Sequence, residues 1–370
     1  MAGLPPIHIC EEDSLNYRIG YIGFGGMAGG YHYDTAMRED VPFTPTAVYD
    51  VNPDRRAYAE SKGLKAFDNI GDFLASRMFD IVLVATPNQF HCPYVCAALE
   101  AGYHAMSEKP AAMTSAEIER MMAAARKAGK VFTVHHNRRF DRDCLIVKEA
   151  LQKGYCGDLI TVENRIHAKS GGSGHMFGWR EFADHGGGML GDWGVHMLDQ
   201  TLYLFEDPIQ SVFASVKTIR SYDVDDYAKI LIRFQNGLTA QVESTTFSPY
   251  PMPKWWILGN RGSIYVEDCC GETGKARFIA KSHTEDADIL LYPGGSMAHR
   301  TIGDYKVDEW EEVALPEHTI PQDWAALYKN LAAHLDGKEE LVVTPESVLR
   351  CFRVIEAARK SSETGLAVEF

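Results

Sequence analysis

Between Tyr17 and His136 short apolar runs alternate with stretches of helical period, and this alternation limits the fold more than any other feature of the chain. The runs YRIGYI, PTAVYDV, DIVLVAT, YHAMSE and VFTVHH are separated by a helix from about Met27 and by the helical patterns DRRAYAESKG, PYVCAALEAG and EIERMMAAARKAG. Strands separated by single helices predict an α/β Rossmann-type domain, a doubly wound parallel sheet. DIVLVA is apolar without alternation, as a strand covered on both faces must be. Thr114, three residues before Glu117, forms a capping box that starts one of the helices.

After about Cys156 the texture changes to long alternating runs. DYAKILIRF and LTAQVESTTF meet at Asn236-Gly237, and WWIL and SIYVED meet at Asn260-Arg261-Gly262, both strong hairpin signals. They predict a C-terminal α+β domain with a large, mostly antiparallel, open sheet. One sheet face would be covered by helices or by a second copy of the chain, so a homo-oligomer is expected. The run PESVLRCFRVIEAARKSSETG reads as an amphipathic helix stopped by Gly365. The expected division is an extension over 1–16, a dinucleotide-binding domain over 17–138, a substrate and assembly domain over 139–350, and a closing helix and strand over 351–370.

A chain of 370 residues suits two packed cores. Its formal net charge of -14 and the lack of any basic run argue against a nucleic-acid partner. Eight cysteines without CxxC pairs read as reduced thiols. The first residues, MAGLPPIHICEED, do not have the form of a secretory signal, and no apolar run is long enough to cross a bilayer. A soluble cytoplasmic protein is expected.

Gly23-Phe24-Gly25-Gly26-Met27-Ala28 reads G-x-G-x-x-A between the first strand and the first helix. The first glycine serves a tight turn, the second lets the backbone approach a pyrophosphate, and the small last residue lets helix and strand pack closely. N–H groups at the helix start then hold the phosphate charge. Asp50 ends the second strand, where a carboxylate accepts both ribose hydroxyls and repels the extra phosphate of NADP. NAD is therefore the expected cofactor, with Val51 and Arg55 beside the adenosine ribose and the Arg55-Arg56 pair the one feature that favours NADP.

Glu108-Lys109-Pro110 follows a strand late in the parallel sheet, at the carboxyl ends where ligands of open α/β sheets bind. The proline forces Lys109 out of helical conformation. A denser signal is Gly186-Gly187-Gly188-Met189-Leu190-Gly191-Asp192-Trp193-Gly194-Val195-His196-Met197-Leu198-Asp199. A helix from near Met189 would stack Asp192, His196 and Asp199 on one face, after three glycines that admit a ligand to the backbone. Burying three titratable groups is costly unless they are used. Asp192 and His196 can also ligate a metal, and His135, His136, His175 and His185 keep that alternative open. No spaced His or Cys completes such a site nearby, so no metal is expected.

These motifs, with Thr86-Pro87-Asn88 and His91, Asn137-Arg138-Arg139-Phe140 and Trp179-Arg180, resemble the glucose-fructose oxidoreductase / inositol dehydrogenase / MocA (Gfo/Idh/MocA) family in order and spacing. The likeness runs from about Tyr17 to the closing IEAARKSSETGLAV. It implies an NAD-dependent sugar, glycoside or cyclitol dehydrogenase in which Lys109, Asp192 and His196 are catalytic. Thr86, Pro87, Asn88, His91, Glu108 and Asn137 would line the dinucleotide, with Trp179 and Arg180 reaching it from the second domain. Asp199 and Arg139 would support the site.

Oxidising a secondary alcohol sends a hydride to the cofactor and a proton to a base. His196 suits the base, Lys109 the hydrogen-bond partner of the reacting hydroxyl, and Asp192 the group that orients both, with the exchange of Lys109 and His196 left open. Aromatic and polar residues interleaved in the second half, Arg165, His167, His175, Trp179, Trp193, Tyr250, Trp255 and Trp256, suit a hydroxyl-rich ring. By family analogy the oxidised position is C3 of a hexosyl ring, giving a 3-keto-glycoside. An NAD-requiring lyase or glycosidase that recycles its cofactor, and a non-catalytic NAD(H) sensor, are the rival readings. The chain departs from the family's pattern at His135-His136, where His135 would shape substrate or nicotinamide contacts, before Tyr17, and over Thr284–Thr301.

Overall fold

The computed structural model describes residues 16–167, 176, 178–250, 252–268, 273–281 and 309–370. The N-terminal extension, His175 and the Thr284–Thr301 stretch lie outside the described residues, apart from Asn16. The strands are β1 Tyr17–Ile22, β2 Phe43–Tyr49, β3 Lys65–Phe67, β4 Ile81–Val84, β5 His104–Ser107, β6 Phe132–Val134, β7 Leu159–His167, β8 Ile209–Lys217, β9 Tyr227–Phe234, β10 Thr239–Thr245, β11 Trp255–Gly259, β12 Gly262–Val266, β13 Gly274–Lys281, β14 Glu309–Leu315 and β15 Val368–Glu369. The α-helices are α1 Tyr33–Ala36, α2 Pro53–Ser61, α3 Ile70–Ala75, α4 His91–Glu100, α5 Ser115–Ala128, α6 Arg142–Gln152, α7 Val195–Leu204, α8 Ala325–Leu335 and α9 Pro345–Thr364. No described helix is long and apolar enough to cross a membrane.

The chain divides into two compact units. The first comprises Met1–Asn137, Asp184–Gly186 and Asp323–Arg353; the second comprises Arg138–Ala183, Gly187–Gln322 and Val354–Phe370. In the first unit six parallel strands run in the order β3-β2-β1-β4-β5-β6, the doubly wound arrangement that the alternating pattern predicts. All four residues of β4 are fully buried, which is why its sequence does not alternate. Thr114 caps α5 by accepting the Glu117 N–H, while the Glu117 carboxylate reaches back to the Met113 N–H at 2.8 Å.

Residues 323–350 are expected in the substrate and assembly domain and instead belong, with 351–353, to the first unit. The chain returns, and polar side chains far apart in sequence fasten it there. Tyr17 donates to Asp336 at 2.8 Å, Arg38 to Asp323 at 2.7 Å, Lys329 to Asp40 at 2.6 Å, and Thr133 to the Val343 carbonyl at 2.8 Å. None of these pairs leaves a local pattern in the sequence.

In the second unit nine strands run in the order β14-β13-β12-β11-β7-β10-β9-β8-β15. All neighbours are antiparallel except β7 and β10. Both predicted hairpins form, β9 with β10 and β11 with β12. Val162, Asn164 and Ile166 of β7 face the helices. Asn164 donates to the Met197 carbonyl at 3.0 Å, which seats α7 on the sheet. Buried Lys254 donates to Gln200 at 2.8 Å and lies 3.6 Å from the Asp143 carboxylate, so its charge is matched. Asp143 also accepts the indole N–H of Trp255, whose ring is wholly core. On the opposite face Phe213 of β8 and Leu231 of β9 sit directly across from each other, 46% and 43% exposed. The end of α9 joins this unit, with Ser361 and Ser362 accepting the N–H groups of Ala214 and Val216, and β15 pairs with β8.

Candidate active site

β1 is followed by Gly23, held at φ +85°, where an added Cβ would stand 2.7 Å from the Ala85 carbonyl oxygen. Only glycine fits there. Beside Gly25 and Gly26 the space that a Cβ would occupy is open, so a ligand can reach this backbone. The helix that follows opens as a π-wound turn, Met27–His32, and continues into α1. Asp50 directly follows β2, with both carboxylate oxygens aligned by main-chain N–H groups, from Phe24 at 2.7 Å and Asn52 at 2.8 Å. That fixes the carboxylate beside the glycine turn and leaves lone pairs for ribose hydroxyls. Arg56 spends its guanidinium on the carbonyls of Asp50 and Val51, while Arg55 and Val51 are exposed. An open glycine turn, a helix start and an aligned carboxylate fit a dinucleotide.

The turns after β4 and β5 are tied to each other. His91 is buried between the carbonyls of Thr86 at 2.7 Å and Pro110 at 2.8 Å, and burial lowers its pKa. Asn88, also buried, donates to the Gly186 carbonyl at 2.9 Å. Glu108, just beyond β5, turns inward: one oxygen accepts from His32 at 2.6 Å and from His135 at 3.0 Å, and the other accepts the Lys109 N–H at 3.0 Å. Burial alone would raise the Glu108 pKa, but the charge of His135 and hydrogen bonds from both imidazoles outweigh it. Its carboxyl is held well below the usual range. Tyr328 of α8 approaches the other nitrogen of His32. His32 and Tyr328 carry no motif, and only their buried polar character in the fold reveals them.

In the second unit the three-glycine run does something other than admit a ligand. A Cβ on Gly187 would lie 2.1 Å from the Arg180 carbonyl oxygen, and one on Gly188 2.5 Å from the Asp225 carboxylate. In the first unit, a Cβ on Gly186 would strike Met113 at 2.6 Å. Each glycine makes room for the protein's own atoms. Asp225 supplies the next helix start, accepting the Leu190 N–H at 2.6 Å with its side chain and the Met189 N–H with its carbonyl.

That helix is also not α throughout. Leu190–Gly194, which holds Asp192, is π-wound before α7 begins, and α7 carries His196 and Asp199. The Asp192 side chain is 18% exposed and 3.3 Å from the Arg180 guanidinium, which stacks over Trp179. His196, buried, meets the edge of Trp193, and Arg138 covers the Trp193 face at 4.4 Å. Asp199 lies deeper, in a bidentate pair with Arg139 at 2.6 and 2.8 Å. Arg165 and His167 do not join this group. Strand alternation turns them to the sheet face opposite α7, where Arg165 pairs with Glu163 and both approach Glu243.

Residues 17–136 match the family model for the oxidoreductase family with an NAD-binding Rossmann fold, and residues 144–265 match that for the GFO/IDH/MocA C-terminal domain. The chain belongs to the Gfo/Idh/MocA family of oxidoreductases. Among members of the Gfo/Idh/MocA family it is similar to D-glucoside 3-dehydrogenase of Escherichia coli, at 28% identity over 95% of this chain and 97% of the relative. It is also similar to the NADP-named scyllo-inositol 2-dehydrogenase of Bacillus subtilis, at 29% identity over 77% of each. A solved NAD-binding protein from Listeria innocua superposes with a TM-score of 0.80 at 32% identity, over 96% of this chain and 97% of that one.

Proposed function

We propose that this protein is an NAD-dependent dehydrogenase that reversibly oxidises a secondary hydroxyl of a sugar, glycoside or cyclitol. The observation that carries the proposal is Lys109 at the carboxyl end of β5, its main chain held by the Glu108 carboxylate, in the unit that holds the open glycine turn. A nicotinamide bound there would supply the hydride acceptor. The chain's own residues manage the proton: His196 receives it from the hydroxyl, Lys109 donates a hydrogen bond to the same oxygen, and Asp192 orients them. Gly23, Gly25, Gly26, Met27, Ala28 and Asp50 would hold the pyrophosphate and ribose, with the residues of the turns after β4 and β5 serving the nicotinamide end. C3 of a hexosyl ring is the first position to test, given the glucoside 3-dehydrogenase relative.

Protein incubated with NAD and a panel of glucosides, hexoses and inositols should give reduced cofactor in step with a product lighter by two hydrogens. Aglycone release without net reduced cofactor would instead mark a lyase cycle and sink the simple dehydrogenase.

The Asp50 carboxylate favours NAD over NADP by repelling a 2′-phosphate. Asp50→Asn keeps the shape and drops the charge, and should weaken NAD binding by about 10-fold while narrowing the preference against NADP. Fluorescence titration with each reduced cofactor checks this, and an unchanged ratio contradicts the assignment.

A further inference from the structure

We propose that His32, His135 and Tyr328 form a buried hydrogen-bonded clamp on the Glu108 carboxylate that fixes the main chain of Lys109, making all four positioning residues for the dehydrogenase reaction. The role in catalysis rests on the function proposed above; the clamp itself does not.

Its geometry determines where the protons sit. Glu108 accepts from Nε2 of His32, from Nδ1 of His135 and from the Lys109 N–H. Nε2 of His32 therefore carries a hydrogen, and its Nδ1 is left to accept from the Tyr328 hydroxyl. His135 donates to the same carboxylate from Nδ1. The residues come from four places in the first unit: the first helix, the turn after β5, the turn after β6, and α8. Tyr21, Tyr31 and His91 are the other titratable groups that act on this cluster. His32, Glu108 and His135 are 0%, 6% and 1% exposed, so water cannot replace a missing donor cheaply.

A buried carboxylate with fewer donors takes up a proton more readily. Protonated Glu108 would offer the Lys109 N–H a weaker acceptor, and the lysine would lose its fixed setting. The His32 pKa is lowered from 6.5 to about 4, by burial first and then by the charge of His135. Between those values the folded chain binds fewer protons at His32 than the unfolded chain does. Stability that is present above pH 6.5 is therefore lost as pH falls toward 4.

The test compares donor-deleting with donor-keeping variants. His135→Leu should lower kcat by about 10- to 100-fold with little change in KM, and add an acid-side ionisation to the kcat profile. His135→Asn, whose amide can replace the Nδ1 donor, should recover kcat to within about threefold and remove that ionisation. His32→Gln keeps a donor at the Nε2 position and removes the titrating ring, so its unfolding should be less sensitive to acid between pH 6.5 and 4 than that of the wild type. This readout needs no substrate, so it tests the clamp even if no sugar is turned over. Wild-type kcat and pH profile in His135→Leu would overturn the positioning role. Equal loss in His135→Leu and His135→Asn would overturn the hydrogen bond as its cause. The three acceptor and donor groups also lie within 4.8 Å of one another, close enough for a cation to compete. One equivalent of metal in the purified protein, lost in both His135 variants, would replace the clamp with a metal site.

Discussion

Lys109→Met is expected to lower kcat by roughly 10³-fold while changing the dissociation constant for NAD by less than about threefold. The contrast follows from the way Lys109 is held. Glu108 grips the lysine through its main-chain N–H, a bond that methionine keeps. Methionine also keeps most of the apolar stem, so the substitution removes the ammonium group and little else. Loss confined to kcat would mean that the ammonium group acts on the reacting hydroxyl and not on the cofactor. Steady-state kinetics with the best substrate of the panel, beside cofactor titration, separates the two. A variant with kcat within tenfold of wild type would remove Lys109 from the chemistry.

The largest expected effect on stability is at Asp199. Its pair with Arg139 is almost wholly buried, with side chains 3% and 2% exposed. Asp199→Ala would remove the bidentate carboxylate from a buried guanidinium and should cost about 3–5 kcal/mol, measured by urea unfolding. Asp199→Asn, which keeps one acceptor oxygen, should cost less. Removing both partners, as Asp199→Leu with Arg139→Met, should recover much of the loss, since the penalty comes from an unpaired charge more than from a missing contact. A cost below about 1 kcal/mol in Asp199→Ala would show that another group or water already satisfies Arg139.

Features written in neighbouring residues could be read without the structure. Five of the six parallel strands follow from the alternating runs, while three-residue β3 at the sheet edge leaves no apolar run to read; both hairpins follow from Asn236-Gly237 and Asn260-Arg261-Gly262. The G-x-G-x-x-A turn and Asp50 take the relation expected of them because each lies at the end of a strand in one sheet. Features that depend on distant partners could not be read. The three glycines look like an invitation to a ligand, yet their neighbours are Met113, Arg180 and Asp225. The spacing of Asp192, His196 and Asp199 suggests α-helix throughout, because the π-wound turn that holds Asp192 leaves no periodic mark over five residues. Arg165 and His167 alternate with Asn164 and Ile166, and nothing in β7 alone says which set meets α7. His32 lies within the first helix and carries no motif of its own.

The bond between His32 and Tyr328 spans 296 positions of the chain. On a ribosome the dinucleotide-binding half emerges early, yet the tyrosine that closes its interior arrives only when most of the chain has been made. A nascent chain cut just after Asn137 would hold the six-stranded sheet with His32 facing no tyrosine, and the buried glutamate beside it would lie under an unfinished roof. Shortening the gene to isolate a minimal nucleotide-binding fragment is therefore a poor strategy here.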